Sequence, residues 1–305
     1  MDIVLHLGAH RCATTTLQRM MGQSHAALAA RRIAYWGPKR TRSGLFHGLI
    51  GQTGTTPPWQ VARAQRRIAL ACAGQAAGGT EQLFVSEENM LGTMRMTLAE
   101  RVLYPDAGDR VAGFARAMAG HKLTLALSIR SYDTWWASVL AFRLTRGGPL
   151  PGRQIAARLA VQPRRWRDVI TDLNRALPRA RIMVWCHEDM AHRPNQVVDT
   201  LTGRRVACAG GAAHLNPMPG IGSLRAYLED CGHPPGLIRT AAGRFMPFDA
   251  DQRAVLRALY AEDRAWLARG ADGLAIYMPR PAPLDPGGAE HGEGQADDAG
   301  KRRLA

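Results

Sequence analysis

Short apolar runs alternate with longer amphipathic segments along most of this 305-residue chain. The apolar runs have the length and β-branched content of buried strands, and they lie at residues 2–7, 33–36, 82–86, 122–129 and 181–186. Apolar residues at helical spacing predict helices at 17–30, 59–73, 110–119, 132–146, 164–176, 195–202 and 249–269. Strands that alternate with helices favour crossover connections. We therefore expect an α/β fold in which a parallel β-sheet is flanked by helices on both faces, as a three-layer sandwich.

The segments between these elements suggest where the domain ends. Residues 39–58 are rich in Gly, Thr and Pro and predict a loop, and residues 207–223, rich in Gly, Ala and Pro, predict irregular structure. From Pro279 onward the sequence consists mainly of Pro, Gly and charged residues, which is typical of disorder. We expect one α/β domain over residues 1–278 and a disordered tail over residues 279–305.

The sequence has few features of a secreted or membrane protein. Residues 1–8 lack the basic region, the long apolar run and the cleavage site of a secretory signal. Charged residues interrupt the most apolar stretch, so no membrane span is predicted. The five cysteines are scattered, without CxxC spacing or histidines at zinc spacing, which favours reduced thiols and indicates no metal site. We expect a cytoplasmic protein that uses no metal.

The charge of the chain favours an anionic partner. The formal net charge is +15, and nearly all of the positive charge comes from arginine. The arginines are spread along the chain, and no recognised nucleic-acid-binding motif is present. We therefore expect no nucleic-acid partner but a smaller ligand that carries phosphate or sulfate groups.

The most informative segment follows the first predicted strand. Gly8–Thr16 contains small residues, one arginine and three threonines, and a helix comes next. Backbone N–H groups at such a turn converge on an anion, and the helix N-terminus adds positive potential. Arg11 adds a forked donor for phosphate or sulfate oxygens. The ATP/GTP loop GxxxxGK[ST] is not matched, because Ala13 and Thr14 stand where it requires glycine and lysine.

Two other segments place polar side chains at the same edge of the predicted sheet. Arg130 ends the fourth predicted strand, and Ser138 lies about two turns into the next helix, so both can face a ligand crevice. The third predicted strand is followed by Glu87 and Glu88, either of which can take a proton from a hydroxyl or amine, with His10 as a rival base. These residues can equally be solvent-facing side chains at helix starts.

Together these segments resemble the sulfotransferases that use 3′-phosphoadenosine 5′-phosphosulfate (PAPS). Four residues match the family's loop Gly-x-x-Lys-[Thr/Ser/Cys]-Gly-Thr-[Thr/Ser]: Gly8, Cys12, Thr14 and Thr15. Arg11 replaces the family lysine, and Ala13 replaces the family glycine. The resemblance covers roughly residues 1–205 and implies the P-loop NTPase-like form of the three-layer fold.

The resemblance implies transfer of a sulfuryl group from PAPS to a hydroxyl or amine of an unidentified acceptor, which can be a glycan, a lipid headgroup or a small metabolite. It implies that the donor nucleotide contacts His10, Arg11, Cys12, Ala13, Thr14, Thr15, Thr16, Arg130 and Ser138, the last two at its 3′-phosphate. Arg11 would stabilise charge on the transferring group but cannot donate a proton as the family lysine can. Glu88, or Glu87 beside it, would be the catalytic base.

Two other functions stay open. One, motivated by the changes at Arg11 and Ala13, is a protein of the same fold that binds the nucleotide but has lost transfer activity. The other is a degenerate P-loop-type kinase, which would need ATP and Mg²⁺. The acceptor is expected to lie against residues 39–80 and 207–247. Cys12 sits at a helix start beside an arginine, where a low thiol pKa is possible, and is interpreted as a loop donor.

Two further motifs are interpreted as structural. The Trp135-Trp136 pair is expected in the core rather than on a substrate platform, and His187-Glu188-Asp189 is expected to form a turn before the helix that begins near Pro194.

Overall fold

The computed structural model describes residues 1–51, 55–210, 218–232, 238 and 243–279. Six strands form one sheet: β1 (Asp2–Gly8), β2 (Ile33–Trp36), β3 (Gln82–Ser86), β4 (Lys122–Ile129), β5 (Arg181–Cys186) and β6 (Ile276–Tyr277). Their order across the sheet is β2-β3-β1-β4-β5-β6, and every neighbouring pair is parallel. The predicted α/β class with a parallel sheet is confirmed.

Helices cover both faces of this sheet. They are α1 (Thr14–Gln23), α2 (His25–Ala29), α3 (Pro38–Arg40), α4 (Pro58–Ala77), α5 (Met94–Glu100), α6 (Ala107–Ala117), α7 (Tyr132–Leu144), α8 (Arg153–Val161), α9 (Trp166–Ala176), α10 (His187–Met190), α11 (Pro194–Thr202), α12 (Ile221–Asp230) and α13 (Ala250–Ala268). A π-helical turn spans Thr41–Leu45, and 3₁₀ turns span Glu88–Met90 and Ala271–Gly273.

Alternate side chains of the strands enter two separate cores. On β1, Ile3 and Leu5 are fully buried in the larger core, whereas Val4 packs into the smaller one on the other face. Strands buried on both faces carry continuous apolar runs rather than alternating ones. This explains why the strands were readable from the sequence and why the fold has three layers.

The predicted helix over residues 17–30 differs most in detail. It begins earlier, at Thr14, because the carbonyl of Ala13 already accepts helical bonds from the N–H groups of Thr16 and Leu17. It is also interrupted at Ser24, whose hydroxyl donates to the Met20 carbonyl at 2.8 Å. A serine that bonds the preceding turn competes with the helical ladder, and here it separates α1 from α2.

Other differences lie in segments with weak patterns. The predicted loop over residues 39–58 is partly helical, since it contains part of α3 and the Thr41–Leu45 turn. The predicted irregular segment 207–223 ends inside α12. Other elements were not predicted because they are short or lack a clear apolar period, among them α5, α8, α12 and β6.

Several predictions concern the ends and surfaces of the chain. The predicted tail lies outside the described residues, apart from Pro279. Within the described ranges, no helix is long and apolar enough to cross a bilayer. All five cysteines are free thiols, as the scattered spacing predicted. The Trp135-Trp136 pair is fully buried, which confirms its assignment to the core.

The strand order creates a crevice at one edge of the sheet. From β1 the chain moves to β2 and β3 on one side, and it then crosses to β4 on the other side. Ligands in open parallel sheets bind at the carboxyl ends of the strands where the order reverses in this way. A ligand site is therefore expected at the carboxyl ends of β1, β3 and β4.

Candidate functional site

The loop between β1 and α1 is held by bonds to its carbonyl groups. Three of its carbonyl oxygens accept side-chain bonds: Ala9 from the Thr14 hydroxyl (3.0 Å), His10 from the Trp135 indole (2.8 Å) and Arg11 from the Arg130 guanidinium (2.7 Å). The Ala9 N–H donates to the Ser128 carbonyl of β4 at 3.0 Å. With these carbonyl dipoles paired, the α1 N-terminus keeps its attraction for an anion.

Two non-glycine residues in the loop adopt left-handed backbone angles. Arg11 has φ 61° and Ala13 has φ 62°, and Ala13 lies directly before the first residue of α1. The sulfotransferase loop pattern that the segment resembles has glycine at this position. Here an alanine adopts the left-handed conformation that glycine adopts easily, and this conformation costs an alanine roughly 1–2 kcal/mol. Strain of this kind is concentrated at functional loops.

Ala13→Gly is expected to stabilise the protein by about 1 kcal/mol, because glycine adopts the left-handed region without a steric cost. Thermal unfolding should show a rise in Tm of about 2 °C for a domain of this size. Ala73→Gly on the exposed face of α4 is the matched control and should lower stability by about 1 kcal/mol. If Ala13→Gly lowered stability as much as the control does, the proposed backbone strain at Ala13 would be contradicted.

Two arginines donate hydrogen bonds to hydroxyl groups of α7. The Arg11 Nε donates to the Ser138 hydroxyl at 2.9 Å, and the Arg130 Nε donates to the Thr134 hydroxyl at 3.2 Å. Burial and the nearby positive charges of Arg130 and Arg146 lower the pKa of Arg11. An anion bound beside neighbouring, partly buried cations lowers their mutual repulsion and stabilises their charged forms. The structure thus brings together Arg11, Arg130 and Ser138, and it places Arg11 with the pair predicted for the 3′-phosphate.

Glu87 and Glu88 have different surroundings although they are adjacent. Glu87 is fully buried, and its oxygens accept five bonds: from the Thr41 hydroxyl (2.7 Å), Arg42 Nε and Nη2 (both 2.8 Å), and the Asn89 N–H (3.1 Å) and Nδ2 (2.7 Å). Glu88 accepts one bond from Gln18 and one from Arg42, both at 2.8 Å, and its side chain is 16% exposed. Glu88 is therefore the carboxylate that can reach a ligand.

The charges around Glu88 decide its protonation. Burial acts to raise the pKa of Glu88, but the nearby Arg42 cation and the hydrogen bond from the Gln18 amide lower it, and the net pKa lies below its ordinary value. Glu88 is then ionised at neutral pH and can accept a proton. Burial lowers the pKa of His10, which is a neutral imidazole at neutral pH. Both His10 nitrogens are engaged, by the Tyr104 hydroxyl at 2.9 Å and the Asn89 amide oxygen at 3.3 Å, which favours Glu88 over His10 as the base.

Arg42→Met is expected to raise the pKa of Glu88 by about one unit, since a cation within hydrogen-bond distance lowers a carboxyl pKa by roughly 1–3 units. A group that works as a base loses activity as the pH falls through its pKa, so the acid limb of any rate profile moves to higher pH. A carboxyl ¹³C NMR titration of Glu88 measures the shift directly. Arg66→Met, on the exposed face of α4, is the control. An unchanged Glu88 titration would contradict the role of Arg42.

A cavity of about 350 Å³ joins these groups at the carboxyl ends of β1, β3 and β4. Its described lining is His10, Arg11, Ala13, Thr14, Thr15, Arg42, Glu88, Met94, Arg130, Ser138, Phe142, Arg146, His187, Met218 and Arg244. Five of these are arginines and one is a carboxylate, so the cavity favours an anionic ligand. The volume is within the usual range of small-molecule sites.

Three residues predicted for the site are not among the described residues that line the cavity: Cys12, Thr16 and Glu87. Each is buried. Burial raises the pKa of the Cys12 thiol to about 12 despite the nearby Arg130 charge, so a low thiol pKa at this position is wrong. Cys12 stays protonated because it is removed from solvent, and the helix start does not compensate.

Several cavity residues were missed by the sequence analysis. Arg42 comes from the Thr41–Leu45 turn, Arg146 follows α7 and lies 3.6 Å from the centre of the Phe142 ring, and Arg244 lies after α12. Arg42, Met218 and Arg244 come from the two segments predicted to contact an acceptor. No motif marks them, and residues 52–54, 211–217, 233–237 and 239–242 of those segments lie outside the described residues.

His187-Glu188-Asp189 forms most of α10, after β5. The Glu188 carboxylate accepts bonds from the Ser131 N–H at 2.9 Å and from the Tyr260 hydroxyl at 2.7 Å. Glu188 therefore connects the start of α7 to α13, in agreement with a structural role, but the motif is helical rather than a turn, and its His187 lines the cavity.

In the part of the chain that the structure describes, no group of three or more His, Cys, Asp or Glu side chains is arranged to hold a metal ion. Comparison of the chain with protein-family models, curated proteins and solved structures finds no match. The site is therefore defined by its own geometry. It is a cationic cavity at the switch point of a parallel α/β sheet, with one ionised carboxylate in its wall.

Proposed function

We propose that this chain is a sulfotransferase that uses PAPS as its donor and a hydroxyl or amine compound as its acceptor. One observation carries the proposal: a single cavity contains the cationic loop, the Arg130–Ser138 pair and the Glu88 carboxylate. A donor with phosphates at two ends needs two separate groups of cations or N–H donors, and an acceptor needs a base.

The donor is proposed to lie with its 5′-phosphosulfate against the α1 N-terminus. Thr14 and Thr15 line the cavity there, and the helix start favours negative charge. Arg130 and Ser138, across the loop, would bind the 3′-phosphate. Arg11 lies between the two groups, because its guanidinium contacts Ser138 while its backbone belongs to the loop.

The proposed reaction is an in-line displacement at sulfur. Glu88 takes the proton of the acceptor hydroxyl or amine while the acceptor atom bonds to sulfur. The bond between sulfur and the bridging phosphate oxygen breaks, and its electron pair leaves with the phosphate. Arg11 stabilises the charge that develops there, and most of the catalysis comes from positioning and electrostatics, as in phosphoryl transfer. The free thiols favour a cytoplasmic location for this activity.

A second candidate, nucleotide binding without transfer, is favoured by the position of Arg11. Its Nε donates to Ser138 at 2.9 Å, at the end of the site proposed for the 3′-phosphate. An arginine that stayed there after the nucleotide bound would leave the sulfuryl group without its cation, and binding would survive while transfer would not.

The experiment that separates the two candidates is transfer of ³⁵S from labelled PAPS. The purified protein is incubated with separate pools of glycans, lipid headgroups and small hydroxylated or amine metabolites. A labelled product that requires Glu88 supports the sulfotransferase. If the protein binds the nucleotide but forms no labelled product with any pool, the result would support nucleotide binding without transfer.

A further inference from the structure

A second and larger cavity lies at the opposite edge of the sheet. Its volume is about 840 Å³, against about 350 Å³ for the cavity at the carboxyl ends. It is formed by the amino ends of β1, β3, β4 and β5 and by the segments that follow α9 and the end of α11. Nothing in the proposed transfer reaction uses this cavity.

The strand register places several polar side chains on one face of the sheet at this edge. Asp2 of β1 is in register with Gln82 of β3 and with Lys122 of β4. Thr124, two residues after Lys122, is in register with Arg181 of β5. Side chains in register, or two residues apart on a strand, share a face. All five of these residues line the cavity.

Two polar atoms in the cavity wall need hydrogen-bond partners. Gln82 is 9% exposed, and its Oε1 has no partner among the described residues. His121 also lies in the cavity wall, and its Nδ1 has no hydrogen-bond partner among the described residues. A buried amide oxygen without a donor destabilises a folded protein, and such atoms in a cavity wall are where a ligand donor is expected. A bound ligand would therefore explain the unpaired Oε1 of Gln82, which the packing of the protein alone does not explain.

The charges at the mouth of the cavity indicate that a ligand would also carry an anionic group. Lys122, Arg179 and Arg181 are exposed cations in the lining, and Asp2 is the carboxylate of the described lining. No ion pair joins any of these cations to a described residue. Cations grouped around a concave surface attract and orient an anionic group.

We propose that this cavity binds a small molecule that carries an anionic group and at least one N–H or O–H donor. The anion contacts Lys122 and Arg181, and the donor reaches Gln82 Oε1, with His121 Nδ1 as a second acceptor. The volume suits a free small molecule. This site does not depend on the proposed transferase activity, because it lies at the other edge of the sheet.

Site-resolved NMR of the ¹⁵N-labelled full chain tests the proposal with three probes. Glycerol 3-phosphate carries both features, sulfate carries only the anion, and glycerol carries only the donors. We expect glycerol 3-phosphate to shift the Gln82 side-chain amide saturably, and sulfate to bind at least about tenfold more weakly, since a hydrogen bond is lost. Arg181→Ala should weaken glycerol 3-phosphate about tenfold, whereas Arg116→Ala on the exposed face of α6 should not.

Gln82→Leu gives a second, independent readout. Leucine has a similar size and removes the unpaired oxygen, so the free protein should gain stability, with a Tm higher by about 2–4 °C. The same variant should bind glycerol 3-phosphate no better than sulfate. A stabilised variant that has lost this selectivity supports a ligand site. No saturable shift at Gln82 in the wild type, or a Gln82→Leu variant that is less stable and still selective, would overturn the proposal.

Discussion

Glu88→Gln is expected to lower the rate of sulfuryl transfer by about 10²–10⁴-fold, the usual contribution of a positioned general base. Glutamine keeps the size of the side chain and can still accept from Gln18 or Arg42, but it cannot take up the acceptor proton. Nucleotide affinity should change by less than about threefold, because Glu88 faces the acceptor in the proposed reaction. Rates of ³⁵S transfer and a calorimetric titration with 3′-phosphoadenosine 5′-phosphate measure the two effects.

The matched control is Glu100→Gln, which changes an exposed glutamate at the end of α5. It should leave transfer unchanged. Glu87→Gln is informative in a different way, because it disturbs the five bonds to a fully buried carboxylate and should lower thermal stability. A Glu88→Gln protein with the wild-type transfer rate would remove Glu88 from the mechanism.

Arg130→Ala is expected to weaken binding of 3′-phosphoadenosine 5′-phosphate by about 100-fold, because a charge-assisted bond to phosphate contributes roughly 1.5–3 kcal/mol. Arg130 is 9% exposed and donates to the Arg11 carbonyl at 2.7 Å, so the change also loosens the loop. Adenosine 5′-phosphate, which lacks the 3′-phosphate, should bind the variant and the wild type with more nearly equal affinity. Calorimetry with both nucleotides gives the comparison.

Arg116→Ala is the control for loss of a positive charge outside the cavity. Ser138→Ala should weaken binding of 3′-phosphoadenosine 5′-phosphate about fivefold, as expected for loss of a neutral donor. Circular dichroism at the titration temperature checks that each variant is folded. If Arg130→Ala weakened both nucleotides equally, the 3′-phosphate would not lie at Arg130.

The sheet was predictable because its strands are buried on both faces. The predicted strand 122–129 coincides with β4 (Lys122–Ile129), and its neighbours differ by one residue or less. Such strands consist of uninterrupted apolar residues with a charge or turn at the end. β6 has two residues and is placed by its pairing with β5, so no local pattern marks it. α5 and α8 were missed because their sequences mix polar and apolar residues without a clear period.

The convergence of Arg130, Ser138 and Glu88 on one cavity was also predictable, because parallel strands bring their carboxyl ends to one edge. The different environments of Glu87 and Glu88 were not predictable. They depend on Arg42, which is 45 residues earlier in a π-helical turn and bonds both carboxylates. Long-range contacts of this kind leave no local sequence pattern. The left-handed angle at Ala13 was hidden for a similar reason, since alanine rarely adopts it.

The most direct test of the central claim is calorimetric titration of the purified protein with 3′-phosphoadenosine 5′-phosphate, with ATP–Mg²⁺ in a parallel experiment. The proposed site predicts micromolar affinity for the bisphosphate, a large loss of that affinity in Arg130→Ala, and much weaker binding of ATP–Mg²⁺. Absence of bisphosphate binding, or a preference for ATP–Mg²⁺ that Arg130→Ala leaves unchanged, would contradict the sulfotransferase proposal and favour a kinase-like nucleotide site.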